Sequence, residues 1–284
     1  MAFINSNTYP DRLDDLLVSR SEQPEDTIIE IALPDGSDTL LIGDGSLPVM
    51  AGPCTLETGE QTLETAMAVK RSGALFFRGG AFKSRTSPYD FSGLRDEGIA
   101  LLSEVRKRLN MPVVSEIVNA AHLPLFENVD IIQVGERNMR NAELLSELSH
   151  TDKPILLKRS HSATLKELLL SAEYLLAGGN RQVILCERGI RTFEPMTRNT
   201  MDISAIPILK ELTHLPVIAD PSHATGLPRL IRPMSMAAAV AGADGLMIEV
   251  HTCPREALCD GGQALVPEEF ARLMSDLQKL TPLR

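Results

Sequence analysis

The chain has no tryptophan, and aromatic residues make up only 4% of its 284 positions. Its core must therefore be filled by aliphatic side chains. There are only four cysteines, Cys54, Cys186, Cys253 and Cys259, too few and too scattered for the disulfide scaffold of a secreted domain, so a reducing compartment is expected. The N-terminus lacks the basic start and apolar run of a signal peptide. The most apolar later stretch, residues 236–250, is broken by Asp244 and does not read as a membrane span. A soluble, cytoplasmic protein is the expectation. A positive balance is also missing: the net charge is −10, which argues against nucleic acid or an anionic membrane as partner, since both require a basic face.

Hydrophobic residues account for 43% and charged residues for 23%, with no low-complexity tract, the composition of a folded protein with a large core. Residues 1–26 are polar and acidic and read as a surface arm or short helix. Two apolar pieces, 27–32 and 39–42, flank Pro34-Asp35-Gly36-Ser37, a turn-forming set, and predict a β-hairpin. Some 45 residues hardly build an independent core, so residues 1–45 are expected to pack on the main domain, with the hairpin plugging one end of it.

From residue 47 a rhythm sets in. Short apolar runs at 47–54, 74–80, 112–117, 130–135, 154–159, 182–189, 215–222 and 245–250 alternate with helical patterns near 59–72, 94–109, 119–126, 139–148, 164–178, 203–211, 229–242 and 267–280. Strands this uniformly apolar have no wet face and indicate a parallel sheet covered by helices. Eight strand–helix units close most simply as a (β/α)8 barrel over residues 46–284, a fold that typically takes about 250 residues. An open doubly wound sheet is the alternative, but no glycine-rich dinucleotide fingerprint follows the first strand.

The strand ends carry the chemistry. Phe76 to Gly93, FFRGGAFKSRTSPYDFSG, runs from a buried strand through glycines into Arg78, Lys83 and Arg85 beside Thr86 and Ser87. Cys54, Arg78, Glu116, Arg137, Lys158, Glu187 with Arg188, His223 and Glu249 all stand at or just past the end of a predicted strand, where a barrel keeps its active face. The first and last strands of a closed barrel are neighbours, so Cys54, His223, Glu249 and Asp260 converge on one side of the mouth. A thiolate, an imidazole and two carboxylates suit one divalent transition ion per subunit (Mn, Fe, Co or Zn) better than Mg or Ca. Singly, each has a plainer reading: a buried Cys as a small hydrophobe, a His as a hydrogen-bonded core residue, an Asp before Gly-Gly as a turn former. His251 shares strand parity with Glu249, whereas Cys253 and Cys259 are read as packing. A protein this acidic that takes an anionic substrate must gather cations locally. Arg137, Lys158 and Arg188 leave three successive strands and are placed to surround one phosphate or carboxylate; Arg85 and Thr86 are placed to hold another phosphate. For any one Arg the competing reading is a surface ion pair.

RGGAFKSRTSPYDFSGL, LLKR, ILCERGIRTFE with TRNTMDISAIP, DPSHATG, and GLMIEVH with ALCDGGQAL together resemble the 3-deoxy-D-arabino-heptulosonate 7-phosphate (DAHP) synthases, of the subtype related to 3-deoxy-D-manno-octulosonate 8-phosphate (KDO8P) synthase. The resemblance runs from about Val49 to Leu273. It implies a (β/α)8 barrel that condenses phosphoenolpyruvate with erythrose 4-phosphate, the first step of the shikimate pathway of aromatic amino acid biosynthesis. It makes Cys54, His223, Glu249 and Asp260 the metal ligands, assigns Arg78, Lys83, Arg137, Lys158 and Arg188 to phosphoenolpyruvate, and gives Arg85 with Thr86 to the aldose phosphate. Metal-polarised aldehyde, enol attack, water addition and loss of phosphate follow, with His223 at the metal, Lys83 as proton donor and Glu116 positioning the water. A homo-oligomer, dimer or tetramer, is expected. With only about 45 residues before the barrel, control by aromatic amino acids is not expected of the isolated chain.

The sequence departs from the family pattern in places. Ser84 stands where Lys-Pro-Arg-Thr is usual, Glu136 replaces a small residue before Arg137, Ser160-His161 stands where Gly is usual, and HTCP replaces HPDP or HPEP. These departures leave a sibling synthase using another aldose phosphate, or an inactive sugar-phosphate-binding paralogue, as alternatives. Strand alternation would turn Glu136 away from Arg137 and out of the site.

Overall fold

The computed structural model describes residues 13–85 and 87–280. Two short strands, β1 (Ile29–Ala32) and β2 (Thr39–Ile42), form an antiparallel hairpin in which Ile29 faces Ile42. Eight parallel strands follow: β3 (Val49–Gly52), β4 (Phe76–Arg78), β5 (Val113–Ile117), β6 (Ile131–Val134), β7 (Ile155–Lys158), β8 (Val183–Glu187), β9 (Val217–Ala219) and β10 (Gly245–Glu249). They close into a barrel in sequence order, with β10 paired to both β9 and β3. The (β/α)8 fold is therefore the one the apolar rhythm implies.

The outer layer contains α1 (Gly59–Arg71), α2 (Asp96–Leu109), α3 (Ala142–Leu148), α4 (Leu165–Ala177), α5 (Ala205–Leu212), α7 (Pro228–Val240) and α8 (Pro267–Gln278), while the short α6 (Pro221–Thr225) is buried at the end of β9. Their starts follow local chemistry. The Thr58 side chain caps α1, and Thr164 and Glu167 close a reciprocal capping box on α4. The segment expected as a helix near 119–126 is instead a 3₁₀ helix, Ala120–Asn128, with Pro124 inside it. The proline ring would clash with the carbonyl four residues back in an α-helix, and the segment is wound more tightly instead. The expected helix at 139–148 is shortened to α3, because Asn141 caps it there, its side chain accepting from the Leu144 N–H at 3.2 Å.

One core lies between strands and helices. A second fills the barrel, where Met50, Phe76, Val114, Ile131, Leu156, Ile184, Ile218 and Met247, one from each strand, pack with Ile29, Ile31 and Ile42 of the hairpin. These residues precede the strands' C-terminal ends, so the hairpin stops the end opposite the active face. The described part of the arm forms no helix. It straps the outside instead: the Leu17 and Val18 N–H groups donate to Glu173 on α4, and Thr27 meets His214 Nδ1 at 2.7 Å. Residues 1–12 lie outside the described residues.

Gly52 lets the first barrel strands close. A Cβ there would stand 2.0 Å from the Arg78 carbonyl oxygen, at a φ of +153°, so only glycine lets β3 run this close to β4. Among the described residues no helix is long and apolar enough to cross a membrane.

Ile42 is fully buried under the barrel floor. Ile42→Ala should cost about 2–5 kcal/mol in denaturant unfolding, because the rigid strands around it cannot collapse into the space. A loss below about 1 kcal/mol would show that the hairpin is not part of the core.

Candidate active site

Both halves of the site stand at the C-terminal ends of the strands. Cys54 lies two residues beyond β3, Glu249 is the last residue of β10, Asp260 sits in the following loop at a left-handed φ of 53°, and His223 is on α6 directly after β9. One donor atom from each of these four lies within 4.8 Å of the other three. His223 Nε2 is 3.1 Å from Glu249 Oε1 and 4.0 Å from Asp260 Oδ2, and Cys54 Sγ is 3.4 Å from Asp260 Oδ2.

The donor set fits a divalent transition ion: one sulfur, one imidazole nitrogen and carboxylate oxygens, too soft for Mg or Ca. The neighbours fit as well. Asp220 Oδ2 lies 2.7 Å from His223 Nδ1, the carboxylate–imidazole arrangement that fixes a ligand's tautomer and leaves Nε2 to face the cluster. Gln263 donates to Glu249 Oε2 at 2.5 Å, and Arg198 lies 3.4 Å from Asp260. Burial would lower His223, but Asp220 and Glu249 raise it to about 9. Burial would likewise raise Glu249, yet His223, Arg78 and Lys83 hold it well below the usual carboxylate range. The Cys259 sulfur, 3.3 Å away, and burial push the Cys54 thiol well up against the pull of Lys83 Nζ, which is 2.9 Å from Cys54 Sγ.

Beside this cluster opens a cavity of about 230 Å³, walled by Lys83, Arg85, Arg137, Lys158, Arg188 and Arg198 and by the acids Asp90, Glu116, Glu136 and Asp260. Six cations against four carboxylates give a local positive excess in a chain whose net charge is −10. Its size suits a small metabolite. Burial would lower Lys83, but Cys54, Glu116, Cys259 and Asp260 raise it well above the ordinary lysine range. Lys158 is buried and ion-paired with Asp220. Glu116 accepts from Gln133 at 3.2 Å and sits against Gly135, where a Cβ would stand 2.1 Å from Glu116 Oε1.

Most residues singled out in the sequence therefore meet here. Arg78 is placed differently: it is buried, donates to the Pro53 carbonyl at 2.7 Å, lies 3.4 Å from Glu249 and does not wall the cavity. Thr86 lies outside the described residues. His251 stands apart from the metal cluster, with Nε2 3.6 Å from Glu57. Glu136 is a correction. It faces inward, 2.8 Å from His161 Nδ1 and 3.3 Å from Arg188 Nη1. Strand alternation does not reach it, because β6 ends at Val134 and Glu136 opens a 3₁₀ turn.

Asp220 was not anticipated. Asp-Pro-Ser-His is a helix-start signature, an N-cap followed by proline, and the Asp220 side chain does cap α6 by accepting from the His223 N–H at 3.0 Å. Cys259, read as packing, touches both Cys54 and Arg85, whose Nη1 is 2.9 Å from its sulfur.

A parallel barrel whose mouth joins a donor cluster suited to a transition ion directly to a cationic, metabolite-sized cavity fits an enzyme that works on small anions. Residues 22–283 match the DAHP synthetase I family, and the chain belongs to that family. It is 47% identical over 265 residues to phospho-2-dehydro-3-deoxyheptonate aldolase of Thermotoga maritima, covering 93% of this chain and 77% of that one. It is 31% identical over 255 residues to 2-dehydro-3-deoxyphosphooctonate aldolase of Syntrophobacter fumaroxidans, covering 83% and 88%. The crystal structure of the Thermotoga maritima DAHP synthase superposes with a TM-score of 0.89 at 46% identity, over 94% of this chain and 77% of that one. A truncated form of the 3-deoxy-D-arabino-heptulosonate 7-phosphate synthase from the same organism gives 0.85 at 44% identity, over 94% and 96%.

Asp220 is fully buried between Lys158 and His223. Asp220→Asn should cost about 3–5 kcal/mol in denaturant unfolding, because it strands a buried ammonium. It should also weaken metal affinity about 10–100-fold, read by competition with a chromophoric chelator. A variant unchanged in both would remove Asp220 from the account.

Proposed function

We propose that this chain condenses phosphoenolpyruvate with erythrose 4-phosphate to give DAHP and phosphate, as the first step of the shikimate pathway, with one divalent transition ion held by Cys54, His223, Glu249 and Asp260. The observation that carries this reading is the adjacency of the donor cluster to the cationic cavity, with His223 and Asp260 belonging to both.

When bound, the ion supplies Lewis acidity toward the aldehyde oxygen of the sugar phosphate. The remaining steps fall to the chain's own residues. Arg137, Lys158 and Arg188 hold the charges of phosphoenolpyruvate, and their positions on three successive strand ends fix the face of its C3. Arg78, paired with Glu249, contributes its charge from beneath. Arg85 and Thr86 hold the acceptor phosphate. As C3 bonds to the aldehyde carbon, Lys83 donates a hydrogen bond to the developing alkoxide. Its ammonium, in the cavity wall beside the donor cluster, is placed for that role as proton donor. Glu116, held by Gln133, positions the water that adds at C2; in net balance one of its protons makes good the new C–O⁻ as a hydroxyl, and the other goes to the departing phosphate as the C2–O(phosphate) bond breaks and C2 becomes the ketone. The likeness to 2-dehydro-3-deoxyphosphooctonate aldolases keeps a longer aldose phosphate as the second reading.

Incubation with excess EDTA should abolish product formation, and Mn should restore it. Cys54→Ser should weaken metal affinity at least about tenfold, since a hydroxyl stays protonated where a thiolate binds. Full turnover in EDTA would overturn the metal assignment.

A further inference from the structure

The cavity contains a carboxylate where an anionic substrate is expected. Glu136 Oε2 accepts from the His161 backbone N–H at 3.3 Å, faces its ring Nδ1 at 2.8 Å, and lies 3.3 Å from Arg188 Nη1. That Arg188 nitrogen is buried and makes no hydrogen bond among the described residues. It is therefore charge-paired to Glu136 and still has a donor to offer. The two departures from the family pattern, Glu136 and Ser160-His161, meet in space.

A fixed negative charge about 6 Å from a bound anion would weaken it on the order of a hundredfold per unit charge at an effective dielectric near 20. A proton on the pair removes that opposition. Histidine is the side chain that most readily gains charge between pH 5 and 8. We propose that Glu136 and His161 form a proton-coupled counter-charge on Arg188: the pair carries one negative charge before substrate binds and takes up a proton on His161 as the phosphoenolpyruvate anion docks. The inference rests on the proposed function, which places that anion on Arg188.

The surroundings direct the proton to His161. Burial would raise the Glu136 carboxyl, but Arg188, 3.3 Å away, leads the contacts that hold it below its ordinary range, so Glu136 is the member of the pair that stays ionised. The other charged groups that wall this part of the cavity are Arg137 beside Glu136, Lys158 from β7 and Glu116 from β5. Lys158 is neutralised by Asp220. Behind the His161 loop, Arg159 is taken up by Glu187 and Asp202, and Arg140 by Glu167 and the Ser162 carbonyl. The Arg191 backbone N–H binds the His161 carbonyl at 2.8 Å and leaves the ring free of that contact. Glu136 and His161 are positioning residues: they set the charge that stands beside Arg188 and take no part in bond making.

The test is calorimetric titration of phosphoenolpyruvate into the Mn-loaded protein near pH 8, in two buffers of different ionisation enthalpy. Wild type should take up roughly half to one proton per ligand bound, and affinity should fall as pH rises. His161→Gln should lose most of that uptake and bind about tenfold more weakly; Glu136→Gln should lose most of it and bind about tenfold more tightly. Wild-type binding without proton uptake, a measurement that needs no variant, would overturn the inference and leave the function standing. So would uptake that persists in both folded variants. Absence of any phosphoenolpyruvate binding by the loaded wild type would contradict the proposed function, and the inference with it.

Discussion

The site depends on one buried carboxylate. Asp220 caps the short helix that carries His223, bonds the His223 ring, and balances Lys158 in the cavity wall. Removing two charges from water costs several kcal/mol per ion, so such a cluster stands only when every partner is supplied. Here helix start, metal-facing imidazole and anion-facing ammonium all draw on the same two oxygens. Burial would raise Asp220, but His223 and Lys158 hold it well below the ordinary range. The donor cluster and the anion cavity are thus locked in register, which a condensation between two substrates requires.

The same economy runs around the mouth. Arg188 stands against Glu136, Arg198 against Asp260 and Arg85 against Asp90. Each of these cations stands against an acid: Asp90 from the same loop as Arg85, and Glu136 and Asp260 from other loops of the mouth. A protein of net charge −10 can in this way hold a concentrated positive site in which several cations already have a counter-charge, and arriving substrate anions compete with groups already in position.

The barrel was legible because its strands are buried on both faces and read as eight apolar runs, and because closing the barrel makes the first and last strands neighbours. That closure brought Cys54, His223, Glu249 and Asp260 together from far apart in the chain. Period and parity carried no further than the regular elements. Pro124 rewinds a predicted helix, and Glu136 turns inward because the strand has already ended at Val134. Asp220 was hidden in a different way: its motif reads as a helix start, and only the three-dimensional turn shows that the capping oxygens also reach Lys158 and His223. Arg78 stands at a strand end as expected, yet its guanidinium is drawn under the site by Glu249 and the Pro53 carbonyl.

The central claim is that this arrangement joins phosphoenolpyruvate to a four-carbon aldose phosphate. It is tested most directly by phosphate release from phosphoenolpyruvate in Mn-loaded protein offered erythrose 4-phosphate, ribose 5-phosphate and arabinose 5-phosphate separately. The account predicts release with erythrose 4-phosphate at a kcat/KM about tenfold or more above either pentose phosphate. Preferential release with arabinose 5-phosphate, or none with any acceptor, would contradict it.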